Sequence, residues 1–226
     1  MPLDSATQQK IDEYARGHLA DWEWHQQLFN FVGDPVLRDR LADEFMSTRY
    51  IYKVLEGIEA DEWLQRAQIR IQILSYASIY EAVVHHLLFS LLSSTPEVQS
   101  LKEYPKLKRI SIPAPKRRQL AEALSHSGKE VITTYQGTGR QDETKVRFDA
   151  KVACAVDLGL LDSTLGQEII DIYEARNAIH IHAEIRKSLD YQLDLSRKAY
   201  RRMEPFLNQV KDNLASVLQP EESQDS

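Results

Sequence analysis

Residues 69–92 read IRIQILSYASIYEAVVHHLLFSLL and form the most apolar stretch of the chain. On a helical wheel the apolar side chains occupy nearly all sides rather than one stripe. A helix that is apolar all round is typical of the buried centre of a helical domain. The segment 61–92 is therefore predicted to form a central helix on which the rest of the domain packs.

Helical periodicity continues on both sides of this segment. Gly33-Asp34-Pro35 predicts the end of one helix and the first turn of the next, because glycine ends helices and proline fits a first turn. Gly159 predicts another helix end, and Gln167 follows Thr164 at the spacing of a capping box. The predicted helices cover residues 7–31, 35–55, 61–92, 116–125, 145–158, 164–181 and 184–218, the last with a kink at Pro205.

The chain has only 8 glycines and 8 prolines in 226 residues, which disfavours a fold built from many hairpins. The predicted fold is all-α: an up-and-down helical bundle with a proline-rich, basic loop insertion around 93–140. Within that insertion, residues 131–140 fit a small hairpin and a mobile loop equally well. The predicted organisation is an N-terminal helical extension at 1–60 packed on the bundle, a helical domain at 61–218 that carries the insertion, and a disordered tail at 219–226.

Several classes of protein are disfavoured by composition. The single cysteine, Cys154, excludes an internal disulfide framework and a cysteine-cluster zinc site. No apolar run of about 18 residues is present, so no membrane span is expected. The first residues lack a basic region followed by an apolar stretch, so no signal peptide is expected. We therefore expect a cytoplasmic protein without a metal or another cofactor.

Positive charge is concentrated in the middle of the chain. The net charge is −6, yet residues 101–151 carry twelve basic and six acidic side chains. Such a patch suits local contact with a polyanion, and a solvated lysine-rich loop is an equally good interpretation on charge alone. The cations of the insertion, as candidate contacts to the phosphates of a nucleic acid or to another polyanion, are Lys102, Lys106, Lys108, Arg109, Lys116, Arg117 and Arg118.

The predicted central helix carries two polar side chains on one face, Glu81 and His85, four residues apart. A buried charge must be paired or neutralised. The pair is either a mutually satisfied feature of the core or the support of a polar site.

The candidate catalytic residues lie in residues 173–184, which read YEARNAIHIHAE. Arg176 is a permanent cation suited to phosphate oxygens. His180 and His182 can take or give a proton near neutral pH. Asn177 can orient either partner through hydrogen bonds. Together these side chains suffice for metal-free cleavage of RNA, in which a base activates the ribose 2′-hydroxyl and a cation offsets charge on the phosphate.

Two other interpretations of the same residues stay open. On a straight helix Arg176 and His180 share one face and His182 lies opposite, so a satisfied cluster at a helix end would look the same. A metal site is less favoured, because ligands two residues apart suit a strand better than a helix and no third ligand lies nearby.

The motif resembles the signature of the HEPN (higher eukaryotes and prokaryotes nucleotide-binding) superfamily. That signature is an arginine followed by four to six residues and a histidine, often with a polar residue directly after the arginine. Arg176, Asn177 and His182 match it with five intervening residues, and His180 falls one residue short. Residues 75–82 are similar to the first core helix of the family and residues 158–162 to the lead-in of its motif helix. The resemblance covers about residues 60–215.

The resemblance implies a four- to five-helix bundle that dimerises and brings two Arg–His pairs together across the two-fold axis. Many such domains are metal-independent endoribonucleases of bacterial toxin–antitoxin or anti-phage defence systems. The implied partners are RNA, a second copy of the chain and an antitoxin or another protein of the defence system. One departure is Glu184, which stands where toxins paired with nucleotidyltransferase antitoxins carry the tyrosine that is modified. The alternative is a non-catalytic HEPN adaptor that binds a nucleotide or a partner protein with the same residues.

Overall fold

The computed structural model describes residues 2–124, 129, 132–179, 182, 185–186 and 193–218. The chain divides into two compact units, one formed by residues 1–93 and 147–226 and the other by residues 94–146. The first unit is helical and the second contains a two-stranded sheet. The predicted all-α class is confirmed, since helices dominate the described residues. The tail predicted at 219–226 lies outside the described residues.

Helices and short turns of helix alternate along the chain, with two strands in the second unit. From the N-terminus the elements are α1 (Ser5–Gly17), α2 (Trp22–Leu28), α3 (Pro35–Gly57), α4 (Glu62–His86), a π-helical turn (Leu87–Leu91), α5 (Pro96–Leu101), β1 (Glu103–Arg109), α6 (Ala114–Ala123), β2 (Thr134–Arg140), a 3₁₀ turn (Glu143–Lys145), α7 (Phe148–Asp157), α8 (Ser163–Asn177), α9 (Leu193–Arg201) and α10 (Met203–Leu218).

Helix α4 is the centre of the first unit, as predicted. It packs against α3, α7, α8 and α9. Tyr76 and Tyr80 are fully buried, and the Tyr80 hydroxyl donates to the Ala199 carbonyl oxygen at 2.7 Å. The helix is not covered on every side, because Ile71 and Leu74 are 41% and 46% exposed.

The predicted single helix over residues 7–31 is wrong. Helix α1 ends at Gly17, and Asp21 begins α2 by accepting a 2.8 Å hydrogen bond from the Trp24 backbone N–H. An aspartate in this position satisfies one of the free donors of a first helical turn. The strong cap at Asp21 therefore outweighs the continuous apolar periodicity.

Two boundaries elsewhere follow local chemistry. Asp34 caps α3 and Pro35 occupies its first turn, which confirms the boundary predicted at Gly33-Asp34-Pro35. The predicted last helix is divided at Arg202, between α9 and α10, and Pro205 lies in the first turn of α10. Proline is tolerated there because the first N–H groups of a helix have no partner within the helix.

The second unit contains an antiparallel ribbon where an extended loop was predicted over the basic residues. β1 pairs with β2 in a continuous register that runs from Glu103 opposite Arg140 to Arg109 opposite Thr134. Pro105 is compatible with β1, because each strand has a free edge in a two-stranded sheet. Neither conformation considered for residues 131–140 is correct over Thr134–Arg140, because these residues form one continuous strand that pairs with β1 and contain no turn. Helix α6 spans Ala114–Ala123 and begins two residues before the predicted helix at 116–125.

Along the described stretches of the chain, no helix combines the length and apolar character that crossing a bilayer requires.

Candidate functional site

Helix α8 carries the motif arginine and is fixed at its start by Asp162. The Asp162 carboxylate accepts the Leu165 backbone N–H at 2.8 Å and a hydrogen bond from the Gln209 side chain. These bonds, that of Leu165 first, lower the pKa of Asp162. The capping box expected from Thr164 and Gln167 is wrong, because the cap lies two residues earlier. Gln167 instead donates to the next turn of the helix, at Asp171.

Helix α8 ends at Asn177, directly after the motif arginine, and not near residue 181 as predicted. The Ala178 N–H bonds back to the carbonyl oxygens of Glu174 and Ala175, and the Ile179 N–H bonds to that of Arg176. A straight helix through residue 182 would place the two histidines on opposite faces. Because α8 ends before either histidine, that geometry does not constrain them.

A chain of hydrogen bonds links Arg176 to the central helix. Arg176 Nη1 donates to the Tyr173 hydroxyl at 3.2 Å, and that hydroxyl donates to Glu81 Oε1 at 3.2 Å. Arg176 and Tyr173 are neighbours on one face of α8, three residues apart, and the guanidinium carbon is 5.1 Å from the centroid of the tyrosine ring. The polar face of α4 predicted at Glu81 thus contacts the motif helix through Tyr173.

The Tyr173 ring is held in place by aromatic stacking. Phe148, at the start of α7, lies with its ring centroid 4.2 Å from that of Tyr173 at an interplanar angle of 27°. Burial, and then the neighbouring Glu81 carboxylate, raise the pKa of Tyr173, although Arg176 opposes the shift. The phenol therefore stays protonated at neutral pH and can both accept from Arg176 and donate to Glu81.

Neutral oxygens rather than a carboxylate hold the guanidinium. Besides Tyr173, Arg176 Nη1 donates to the Asn177 side-chain oxygen at 3.1 Å. Among the residues that the structure describes, no carboxylate forms a salt bridge with Arg176, and its side chain is half-buried. A guanidinium has five N–H donors. The bonds to Tyr173 and Asn177 therefore orient Arg176 and leave other donors, and its positive charge, for another anion.

The two histidines differ in how far the structure describes them. His182 is exposed and helical, whereas His180 lies outside the described residues. The predicted roles of both histidines stay predictions.

His85, the other polar residue predicted on the central helix, contacts a buried lysine. Lys151 of α7 is 2% exposed, and its Nζ lies 3.3 Å from His85 Nδ1 and 5.8 Å from the centroid of the Phe89 ring. At this distance the lysine Nζ can donate a hydrogen bond to His85 Nδ1. Glu81 and His85 thus face α8 and α7 respectively and do not bond to each other.

The basic residues of the insertion lie on several elements of the second unit. Lys102 follows α5, the ribbon strand β1 carries three cations, and α6 carries three. Alternation along β1 puts Lys106 and Lys108 on one face and Arg109 on the other. Arg109 and Arg117 line a separate cleft of about 220 Å³ within the second unit.

Sequence reasoning gave no role to Tyr173, which contacts the motif arginine, or to Lys151, which contacts His85. Tyr173 precedes Arg176 by three residues on a predicted helix, so the spacing of helical neighbours could have identified it. Lys151 stands where the apolar stripe of residues 148–155 predicts a core position, and a charge in such a stripe is the signal. Across the described part of the chain, no three His, Cys, Asp or Glu side chains are grouped as metal ligands.

Comparisons of the chain with protein-family models, with curated proteins and with solved structures give no match. The resemblance to the HEPN superfamily therefore stays a prediction that depends on the residues of this chain.

Proposed function

We propose that the protein is a metal-independent endoribonuclease of the HEPN type that acts in a bacterial toxin or anti-phage defence system. The observation that carries this proposal is the state of Arg176, which is oriented by Tyr173 and Asn177 and not neutralised by a carboxylate among the described residues. An oriented, uncompensated guanidinium suits the charge that develops on a phosphate in the transition state.

In the proposed reaction the ribose 2′-hydroxyl attacks the adjacent phosphorus and the bond from phosphorus to the 5′-oxygen breaks. His182 takes the proton of the 2′-hydroxyl as it attacks, with His180 as its helper, and a proton is returned to the departing 5′-oxygen. The products are a 2′,3′-cyclic phosphate and a 5′-hydroxyl. Arg176 offsets the charge on the equatorial oxygens of the pentacoordinate phosphate, and Asn177 keeps the guanidinium in position.

Binding and assembly complete the proposal. The cations of the second unit hold the RNA backbone through phosphate contacts, so binding weakens as salt is raised. The active form is a homodimer in which two Arg–His pairs share one cleft, and an antitoxin or another defence protein controls it in the cytoplasm.

Incubation of the purified protein with total RNA tests the proposal. We expect cleavage that survives EDTA, leaves cyclic phosphate ends and spares DNA and 2′-O-methyl RNA. Arg176→Ala should lower the rate by about 10²–10³-fold, the usual cost of removing one group that stabilises transition-state charge. RNA left intact by the wild-type protein, together with a nucleotide or protein bound through Arg176, would replace the enzyme with the HEPN adaptor.

A further inference from the structure

We propose that one face of the β1–β2 ribbon binds a single-stranded stretch of RNA by stacking its bases on Tyr104 and Tyr135. The inference rests on the proposed function for the identity of the nucleic acid, and it assigns the substrate form and two residues that the motif does not contain.

The register of the ribbon defines this face. In an antiparallel pair, residues directly opposite each other point to the same side, and alternate residues along each strand share that side. Tyr104 lies opposite Gly139, and Lys108 lies opposite Tyr135. We call this side the tyrosine face; it carries Tyr104, Lys106 and Lys108 from β1 and Tyr135, Gly137 and Gly139 from β2.

Two glycines leave room for side chains to lie flat on the tyrosine face. A Cβ atom on Gly139 would lie 2.7 Å from Tyr104 Cζ, so the tyrosine ring rests directly on the backbone of β2. A Cβ atom on Gly137 would lie 3.0 Å from Lys108 Cδ, so the lysine stem lies across the next position. Tyr104 is half-buried, so part of the ring that rests on the β2 backbone is left accessible for a base to stack on.

Exposure and charge on the tyrosine face match a nucleic acid. Tyr135 is 50% exposed, and Lys106 and Lys108 are exposed. The ribbon's one acidic residue, Glu103, belongs to the opposite face and pairs with Arg140 at 3.4 Å. Aromatic rings between lysines, without a competing carboxylate on the same face, are the combination by which proteins bind single strands: lysines contact phosphates and rings stack on bases.

The spacing of the two rings sets the length of the bound segment. Tyr104 and Tyr135 stand on cross-strand pairs four residues apart along β1, which corresponds to about 14 Å at the rise of an antiparallel strand. Stacked bases repeat every ~3.4 Å along one strand. The two rings are therefore separated by about four base steps. In a duplex the bases are stacked within the helix, so a single strand is the form that fits.

The opposite face of the ribbon supplies matched controls. It contains Leu107, which is 70% exposed and lies between Lys106 and Lys108 in sequence. Truncation of Leu107 changes the same strand without changing the tyrosine face.

The test measures the affinity of the full-length protein for a short single-stranded 2′-O-methyl RNA, which the proposed reaction does not cleave. Tyr104→Ala and Tyr135→Ala should each weaken binding by about 5- to 150-fold, the range for losing one stacked base. Tyr104→Phe and Tyr135→Phe keep the ring and should retain affinity, as should Leu107→Ala. The same sequence as a duplex should bind the wild-type protein more weakly and with no dependence on either tyrosine.

A second readout does not depend on the folding of the variants. A fluorescent base analogue in the single strand should lose emission on binding to the wild-type protein, because stacking on a tyrosine quenches it. Unchanged emission, alanine variants that bind like the wild type, or a loss of affinity on Lys106→Ala and Lys108→Ala alone would each overturn the stacking proposal.

The result also separates this inference from the proposed function. Arg176→Ala should lower the cleavage rate by about 10²–10³-fold, while the loss of affinity caused by Tyr104→Ala or Tyr135→Ala should be the same in the Arg176→Ala background as in the wild type. If the protein binds the strand through its tyrosines but cleaves no RNA, the tyrosine-face proposal is supported and the nuclease proposal is contradicted. If the protein cleaves RNA and neither tyrosine contributes to binding, the nuclease proposal is supported and the tyrosine-face proposal is contradicted.

Discussion

The hydroxyl of Tyr173 donates a 3.2 Å hydrogen bond to Glu81, a residue 92 positions earlier in the chain. The same hydroxyl accepts from Arg176. One phenol therefore fixes the motif arginine relative to the central helix and stands between a cation and a carboxylate that could otherwise pair.

Removal of this hydroxyl should reduce catalysis without unfolding the protein. Tyr173→Phe keeps the stacking on Phe148 but deprives Arg176 of an acceptor and lets Glu81 approach the guanidinium. We expect the RNA cleavage rate to fall by about 10-fold, as for loss of one hydrogen bond to a charged group. Tyr50→Phe, which removes a 2.9 Å bond to Asp12 elsewhere, is the matched control and should cleave normally. Equal rates for both variants would show that Tyr173 does not position Arg176.

The two histidines should contribute unequally to cleavage. His182→Ala should lower the rate by about 10²–10⁴-fold, the range for losing a positioned acid or base. His180→Ala should cost less, and EDTA should change neither rate. Initial rates on one defined RNA, measured for both variants, check the order. The reverse order would make Arg176 and His180 the working pair.

The protein should be a homodimer with its isologous contact near residues 173–186. Sedimentation equilibrium at micromolar concentration should give twice the chain mass of 26.1 kDa. Mixing the inactive Arg176→Ala and His182→Ala variants should restore some cleavage if one cleft combines side chains from both chains. A mass near 26.1 kDa would contradict the prediction.

Close packing of α8 on α7 should make Gly166 intolerant of a side chain. A Cβ atom there would lie 2.8 Å from Val156 Cγ2, and β-branched side chains adjust poorly. We expect Gly166→Ala to lower the free energy of unfolding by about 1–3 kcal/mol, although alanine favours helices. Gly17→Ala, where nothing lies within 4 Å, should raise it by about 0.4–1 kcal/mol. Urea denaturation of the two variants measures the change in the free energy of unfolding, which should be negative for Gly166→Ala and positive for Gly17→Ala.

Glu168 should stabilise the fold in a pH-dependent way. Its carboxylate accepts from Arg202 at 3.0 Å and lies 3.4 Å from Lys198, and these cations, Arg202 first, lower its pKa. A lowered folded pKa stabilises the protein above the unfolded value of about 4.3, and that contribution is lost as the pH falls through the folded pKa. Glu168→Gln should therefore cost about 1 kcal/mol at pH 7 and much less near pH 3. An equal cost at both pH values would contradict this origin.

The sequence predicted the elements whose signals are local and agree with one another. Helix α3 begins where an aspartate cap and a first-turn proline occur together. Helix α4 was predicted to be central because its apolar residues cover nearly all sides of the helix. Periodicity could not show the break between α1 and α2, because the residues on both sides keep the same period and the cap at Asp21 decides.

The ribbon and the contacts of the site needed long-range information. β1 forms because its residues pair with β2, about 30 residues later in the chain. The sequence of either strand alone does not show this pairing. Likewise, the motif named Arg176 and Asn177, but the partner of Tyr173 lies on a helix distant in sequence. Sequence patterns identify the chemistry of a site more readily than the side chains that orient it.

The ribbon is closed at its base by its own backbone. Directly beyond the pair of Glu103 and Arg140, the Gln141 N–H donates to the Lys102 carbonyl oxygen at 2.8 Å. The chain thus enters and leaves the ribbon at two neighbouring residues that are joined by their backbones. Substitutions between residues 102 and 141 leave both partners of this bond in place, because neither atom belongs to a side chain.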